Sequence, residues 1–204
     1  MIAFITGGAK NGKSSYAQDL AVKLASGGKH YYLATMIPCD EEDNDRIRHH
    51  IADRAGLGFE TVEQGRDIAR CLERADREGT FLLDSVTALL LNELYPDPTT
   101  WKLDADAPDR CQKGLETLCN QVQNIVLVSD YIYSDAAKYD EETEVYRRGL
   151  ARLDRFLAGI ADARSAPGAI SSTKEKKSYE VFFSRLFYVP VHVLRHSLSL
   201  QNLG

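Results

Sequence analysis

The opening of the chain admits few folds. Ile2-Ala3-Phe4-Ile5-Thr6 is a short apolar run that predicts a buried strand, and Gly7-x-x-x-x-Gly12-Lys13-Ser14 follows it directly. That spelling agrees with the phosphate-binding loop G-x-x-x-x-G-K-[ST] at every fixed position. Glycines let consecutive backbone N–H groups turn inward around phosphate oxygens, and Lys13 adds a point charge near the β- and γ-phosphates. Ser14 offers a hydroxyl to Mg²⁺, and the helix expected to begin here aims the positive end of its dipole at the anion. Ala17, Leu20, Ala21 and Leu24 put an apolar stripe on that helix. The alternative, a glycine-rich turn without a ligand, is disfavoured by the strand before it and the helix behind it. The motif implies a bound nucleoside triphosphate.

The remaining runs alternate in the same way. Ser26-Gly27-Gly28-Lys29 breaks the first helix and His30 to Thr35 predicts a second strand. The acidic run Asp40 to Asp45 reads as an N-cap with acids in a first helical turn, complementing the dipole. Ile68, Cys71, Leu72 and Ala75 fall at i, i+3, i+4 and i+7, which predicts a helix ended by Gly79. Thr80 to Asp84 predicts a third strand, Val86 to Leu94 a helix apolar nearly all round, and Asp97 to Pro108 a polar surface excursion. A helix to about Gln123 and a fourth strand, Ile125 to Ser129, come next. A long helix from about Asp140 to Ala163 carries Leu153, Phe156, Leu157 and Ile160 on one stripe.

This alternation predicts an α/β fold of the P-loop NTPase type (RecA-like), with a doubly wound, mostly parallel sheet and helices on both faces. Residues 1–163 form the expected nucleotide-binding domain. Residues 164–204 are an atypical tail: 165–177 is Ser/Lys-rich and loop-like, and 181–194 is apolar enough for a last strand or two at an edge of the same domain.

Composition narrows the function. A net charge of −5 disfavours a nucleic-acid partner, which usually meets a basic stripe. No apolar run approaches the ~20 residues that span a bilayer, and the N-terminus enters a strand without signal-peptide architecture. Cys39, Cys71, Cys111 and Cys119 show neither C-x-x-C pairing nor histidines at metal-ligand spacing, so reduced thiols in a cytoplasmic protein are expected.

Two further features bear on chemistry. Asp84 ends a hydrophobic strand, the usual place of the acid that holds Mg²⁺ in a nucleotide site. His49 and His50 stand side by side on a predicted helix. With Ile47 and Ile51 taken as its core-facing side, His50 lies beside that stripe and His49 points nearly opposite, at about 100° per residue. Asp45 and Asp53, each four residues from His49, share its face and can orient the imidazole, while Arg46, Arg48 and Arg54 bring positive charge. A carboxylate-supported imidazole beside guanidinium groups suits attack on phosphorus, giving a phosphoramidate. On residue types alone, a solvated helix face with two incidental histidines is the commoner reading.

Taken together, these elements resemble the bifunctional adenosylcobinamide kinase / adenosylcobinamide-phosphate guanylyltransferase family of cobalamin biosynthesis. The likeness rests on the phosphate loop, Tyr32-Leu33-Ala34-Thr35, Arg46-Ile47-Arg48-His49-His50 with Arg54, and Thr61-Val62-Glu63. It continues through Leu82 to Thr87, Asn92, Ile125 to Ser129, and Tyr146-Arg147-x-Gly149-Leu150-Ala151. The resemblance implies two reactions: phosphorylation of adenosylcobinamide, then transfer of GMP from GTP through a guanylyl-histidine to give adenosylcobinamide-GDP. It implies His49 as the nucleophile and Lys13 as a catalytic cation. It implies nucleotide contacts at Gly7, Gly8, Ala9, Lys10, Asn11, Gly12, Lys13, Ser14, Ala34, Thr35, Met36, Ile51, Ala52, Asp53, Arg54, Glu63 and Asp84. Mg²⁺ would sit on Ser14 and Asp84, with GTP and ATP as substrates and a homotrimer as the assembly. Where many relatives read Asn-Glu-Val-Gly after the fourth strand, this chain reads Ser129-Asp130-Tyr131-Ile132, and the tail after Ala163 does not follow the family. A small-molecule kinase without guanylyl transfer, or a nucleotide-binding protein without chemistry, are the alternatives.

Overall fold

In the computed structural model, residues 1–8, 11–133 and 137–161 are described, together with the backbone of 179–182. The elements run β1 (Ile2–Gly7), α1 (Lys13–Ala25), β2 (His30–Ala34), α2 (Glu41–Asp53), β3 (Glu60–Glu63), β4 (Thr80–Asp84), α3 (Val86–Leu94), α4 (Ala107–Gln121), β5 (Asn124–Asp130), α5 (Glu141–Ile160) and β6 (Tyr179–Phe182). They build one sheet in the order β3-β2-β4-β5-β1-β6. The first five strands are parallel, and β6 pairs antiparallel with β1, Phe4 opposite Phe182 and Gly7 opposite Tyr179. The sheet is therefore mostly parallel and doubly wound, as the alternation of strands and helices requires.

Period-two alternation sorts the side chains of the central strands to two faces. Ala3, Ile5, Tyr32, Leu82, Val126 and Val128 meet α1, where Ala17 and Ala21 are fully buried and their small side chains let the helix lie close to the sheet. Phe4, Leu33, Phe81, Leu83, Ile125 and Leu127 point to the other face, into the larger core beneath α3, α4 and α5. Continued one step to the C-terminal edge, the same alternation puts Gly7, Ala34, Asp84 and Asp130 on the α1 side, and Thr6 and Ser129 on the side of α5. Both groups matter below.

Several expectations are corrected. Glu60–Glu63 is a strand that the apolar pattern does not announce, because at the sheet edge only Val62 is buried. The segment with Ile68, Cys71 and Leu72 is a 3-10 helix ending at Glu73, not an α-helix to Ala75. Spacing at i and i+3 serves either form, and Asp67 enters it with a left-handed φ of 45°. Pro108 belongs to the first turn of α4 and is buried, where its missing N–H costs nothing. The expected core face of α2 does not exist: the helix buries no residue, and Ile51 is 51% exposed. Helix α3 is apolar as expected but leaves Leu91 exposed and buries Glu93, which accepts from the Asp67 N–H at 2.7 Å. Residues 165–177 lie outside the described residues. So does the apolar run 181–194, beyond the β6 backbone at its start. The four cysteines are free thiols, and burial pushes those of Cys71, Cys111 and Cys119 up to about 12, which leaves them inert at neutral pH.

With no buried side chain, α2 is held by its ends and its charges. Asp40 caps it by accepting from the Asp43 N–H at 2.8 Å, Glu41, Glu42 and Asp43 occupy the first turn, and Arg48 pairs with Glu41 at 2.7 Å. Removing the cap with Asp40→Ala is expected to cost about 1 kcal/mol, felt locally. Hydrogen exchange should then speed up in the α2 amides while the amides of β4 and β5 keep their protection; uniform acceleration would contradict this picture.

Candidate functional site

The phosphate loop joins β1 to α1 at the C-terminal edge of the sheet, where doubly wound folds place their ligands. Gly12 turns the chain there with φ 83°, a conformation that favours glycine. The Asn11 side chain accepts from the Lys13 N–H at 3.2 Å. Lys13 is only 6% exposed, so its ammonium must find partners inside the protein. It donates to the Gly8 carbonyl at 3.1 Å and pairs with Asp130 at 2.5 Å. Ala9 and Lys10 lie outside the described residues.

Asp84 faces this loop from the end of β4. It accepts from the Tyr32 hydroxyl at 3.1 Å and is hydrogen-bonded by Ser14. Burial raises its pKa above the ordinary aspartate value. The charge of His50 and the bonds from Tyr32 and Ser14 oppose that rise, and the carboxylate of Asp130 adds to it. Burial first, and the Asp84 carboxylate second, push the Tyr32 phenol well above its usual range, so it stays a donor. The guanidinium of Arg54, at the C-terminus of α2, stacks over the Tyr32 ring at 4.2 Å and donates to the Thr61 hydroxyl at 3.3 Å. Lys13, Ser14, Asp84, Tyr32, His50, Arg54 and Asp130 thus gather around one point.

Thr35 is fully buried and fixes the neighbouring backbone. Its hydroxyl donates to the Ser85 carbonyl at 2.8 Å and accepts from the Ser85 N–H at 2.7 Å, across a cis Asp84–Ser85 peptide bond. The Asn92 amide donates to the carbonyls of Thr35 at 2.7 Å and Gly65 at 3.0 Å, which ties the ends of β2 and β3 to α3. Ala34 and Met36 flank this joint, both half-buried. Glu63 is exposed at the end of β3, and its carbonyl accepts from Arg74 at 2.8 Å. Ile51, Ala52 and Asp53 are exposed on the last turn of α2, with the Asp53 charge felt at Tyr32.

The two histidines part company. His49 is exposed, and among the described residues no ion pair involves it. Asp45, expected to support it, pairs instead with Arg48. His50 faces inward: its Nδ1 is buried without a hydrogen-bond partner among the described residues, and its charge acts on Asp84. Tyr32, His50 and Asp130 were named in the sequence reading but given no role at the site. Asp130 ends an apolar strand in the same manner as Asp84, and that signal was available.

On the opposite face of the sheet, Asp154 of α5 is 3% exposed, and among the described residues no cation pairs with it. Burial pushes its carboxyl up to about 6, with Asp130 adding to the rise and the hydroxyls of Ser129, Tyr133 and Thr6 opposing it.

A sequence profile of cobinamide kinase / cobinamide phosphate guanyltransferase matches residues 3–166. The chain is 30% identical over 171 residues to the bifunctional adenosylcobalamin biosynthesis protein CobU of Escherichia coli K12 and 26% identical over 172 residues to that of Salmonella typhimurium LT2. Each alignment covers 79% of this chain and 92% of the relative. Among the described residues no helix is long and apolar enough to cross a membrane.

Two outcomes are expected. Asn92→Leu leaves the Thr35 and Gly65 carbonyls without their donor and should cost about 1–3 kcal/mol in urea denaturation, with nucleotide affinity falling as well. Asp154 has a folded pKa above the ~3.9 of a free aspartate, so the native state holds the extra proton. Its contribution makes stability fall as pH rises from about 4 to about 6, by about 3 kcal/mol at most. Asp154→Asn should flatten that fall, and an unchanged pH profile would show that the carboxyl is not desolvated.

Proposed function

The chain belongs to the cobinamide kinase / cobinamide phosphate guanyltransferase family, and on that premise we propose how its residues divide the work. It is an adenosylcobinamide kinase and adenosylcobinamide-phosphate guanylyltransferase of cobalamin biosynthesis, and nucleoside triphosphates and cobinamide are its substrates. The observation that carries the assignment of residues is the convergence of Lys13, Ser14, Asp84 and His50 of α2 on one edge of the sheet.

In the kinase reaction the hydroxyl of cobinamide attacks the terminal phosphorus of the triphosphate. A new O–P bond forms, the bond to the β-phosphate oxygen breaks, a nucleoside diphosphate leaves, and the hydroxyl proton passes to water. The residues matching the loop, Gly7 to Ser14, cradle the phosphates, and Lys13 exchanges Asp130 for phosphate oxygens, where its charge stabilises the transferring group. Ser14 and Asp84 fit Mg²⁺: both are hard oxygen donors, and the repulsion between Asp84 and Asp130 is relieved by a divalent cation. Mg²⁺ bound there supplies neutralisation of phosphate charge.

In the second reaction an α2 histidine attacks the α-phosphorus of GTP, and pyrophosphate leaves. The N–P bond then breaks as a phosphate oxygen of cobinamide phosphate takes the guanylyl group, giving adenosylcobinamide-GDP and free histidine. His49 is the proposed carrier. Its ring is exposed on α2, one residue before the histidine whose charge acts on Asp84, and that nearness in the chain supports the reading. Ala34 to Met36, Ile51 to Arg54 and Glu63 complete the proposed guanine-nucleotide contacts. The inward Nδ1 of His50 favours a second reading in which His50 carries the guanylyl group. The remaining elements of the reading are a homotrimer and a cytoplasmic location.

Incubation with α-labelled GTP should label the protein covalently in an acid-labile form. His49→Ala should abolish the label while cobinamide phosphorylation survives, and His50→Ala should retain labelling. Label lost only in His50→Ala would move the role to His50. A folded protein that takes no label at all would end the histidine proposal and leave the kinase.

A further inference from the structure

The segment after β5 lies directly against the phosphate loop. The Tyr131 N–H donates to the Gly7 carbonyl at 2.9 Å, and the preceding residue, Asp130, holds Lys13. The Asp130 N–H donates to the Thr87 hydroxyl at 2.8 Å, which moors this corner to α3. Beyond it Tyr131 and Ile132 are 44% and 37% exposed, apolar surface beside the point where a phosphoryl group is transferred. Tyr131 packs edge-on against Tyr133, with centroids 4.6 Å apart.

Tyr133 then turns inward across the edge of the sheet. Its hydroxyl donates to Asp154 at 3.0 Å, and its carbonyl accepts from Arg147 at 3.1 Å. Asp154 is an expensive residue to keep here, a carboxyl sunk among Thr6, Ser129, Tyr133 and Tyr146 with no cation paired to it among the described residues. An apolar side chain would fill the place at lower cost, but it could not accept from Tyr133.

We propose that Asp154 is a positioning residue: through Tyr133 it fixes Tyr131 and Ile132 as the platform on which the cobinamide macrocycle rests while its hydroxyl reaches the nucleotide. The occupant follows from chemistry. The cobinamide hydroxyl must reach the phosphorus held at Lys13, so its macrocycle has to lie beside the loop, and Tyr131 and Ile132 offer exposed apolar surface there, directly after the residue that pairs with Lys13. Asp154 touches neither nucleotide nor acceptor; it acts through the tyrosine. The inference rests on the kinase activity alone and is independent of which histidine, if any, carries the guanylyl group.

The test is steady-state kinase kinetics of the full chain, with nucleotide and cobinamide varied separately. Tyr133→Phe removes one hydroxyl and keeps the ring, so it reports even if Asp154→Ala does not fold. Both variants should raise KM for cobinamide roughly tenfold, the worth of one well-placed hydrogen bond. KM for the nucleotide should stay within about twofold. Asp154→Asn retains an acceptor for the tyrosine and should restore the cobinamide KM. An unchanged cobinamide KM in Tyr133→Phe would overturn the proposal. So would nucleotide and cobinamide KM rising in step, which means general damage to the loop, or failure of Asp154→Asn to restore. Loss of histidine labelling without a change in these constants bears on the guanylyl carrier only.

Discussion

A buried ammonium cannot stand alone, and the site is arranged around satisfying one. Lys13 sits almost wholly inside the protein because the phosphate loop wraps it, so its charge requires a counter-charge in reach. Asp130 supplies it from the adjacent strand, and the Gly8 carbonyl accepts a hydrogen bond from the same ammonium. The register of β1 against β5 makes this possible, since Gly7 and Asp130 are direct partners at the same edge. A slip of one residue would turn Asp130 to the other face and Ser129 toward the loop, leaving the ammonium unpaired. A nucleotide seated as proposed would compete for a cation that is already held, exchanging one anion for another without desolvating a free charge.

The same alternation explains why two acidic centres, Asp84 with Asp130 and Asp154 on its own, coexist within one sheet edge without sharing a role. Asp84 and Asp130 point to the α1 side, where hydroxyls, a histidine and a lysine surround them. Asp154 reaches the opposite face from α5, where the hydroxyls of Ser129, Tyr133 and Thr6 oppose the rise in its pKa. The carboxylate of Asp130 raises the proton affinity of Asp154 from across the sheet, so charge on one face is felt on the other.

What the sequence made legible was whatever depends on periodicity and local chemistry. The central strands declare themselves as continuous apolar runs, α1 and α5 by their stripes, and α2 by its cap and acidic first turn. The phosphate loop needs no tertiary information at all. Strand β3 was silent because an edge strand with one buried residue has no pattern to show. Ile47 and Ile51 misled because two isoleucines four apart imply a buried stripe, whereas α2 lies at the rim of the site and leaves Ile51 in solvent. The partners of Asp84 were invisible for a different reason. Tyr32 and His50 come from elements far apart along the chain, and only the assembled sheet brings them to one carboxylate.

Helix α2 has one more consequence. Cores constrain sequence because each side chain must fit a cavity of fixed shape, and α2 contributes nothing to any core. Substitutions along it therefore cost the fold little, and selection there answers to chemistry in place of packing. In lineages that drift freely elsewhere on their surfaces, a residue of α2 that refuses to vary does so for the reaction it serves.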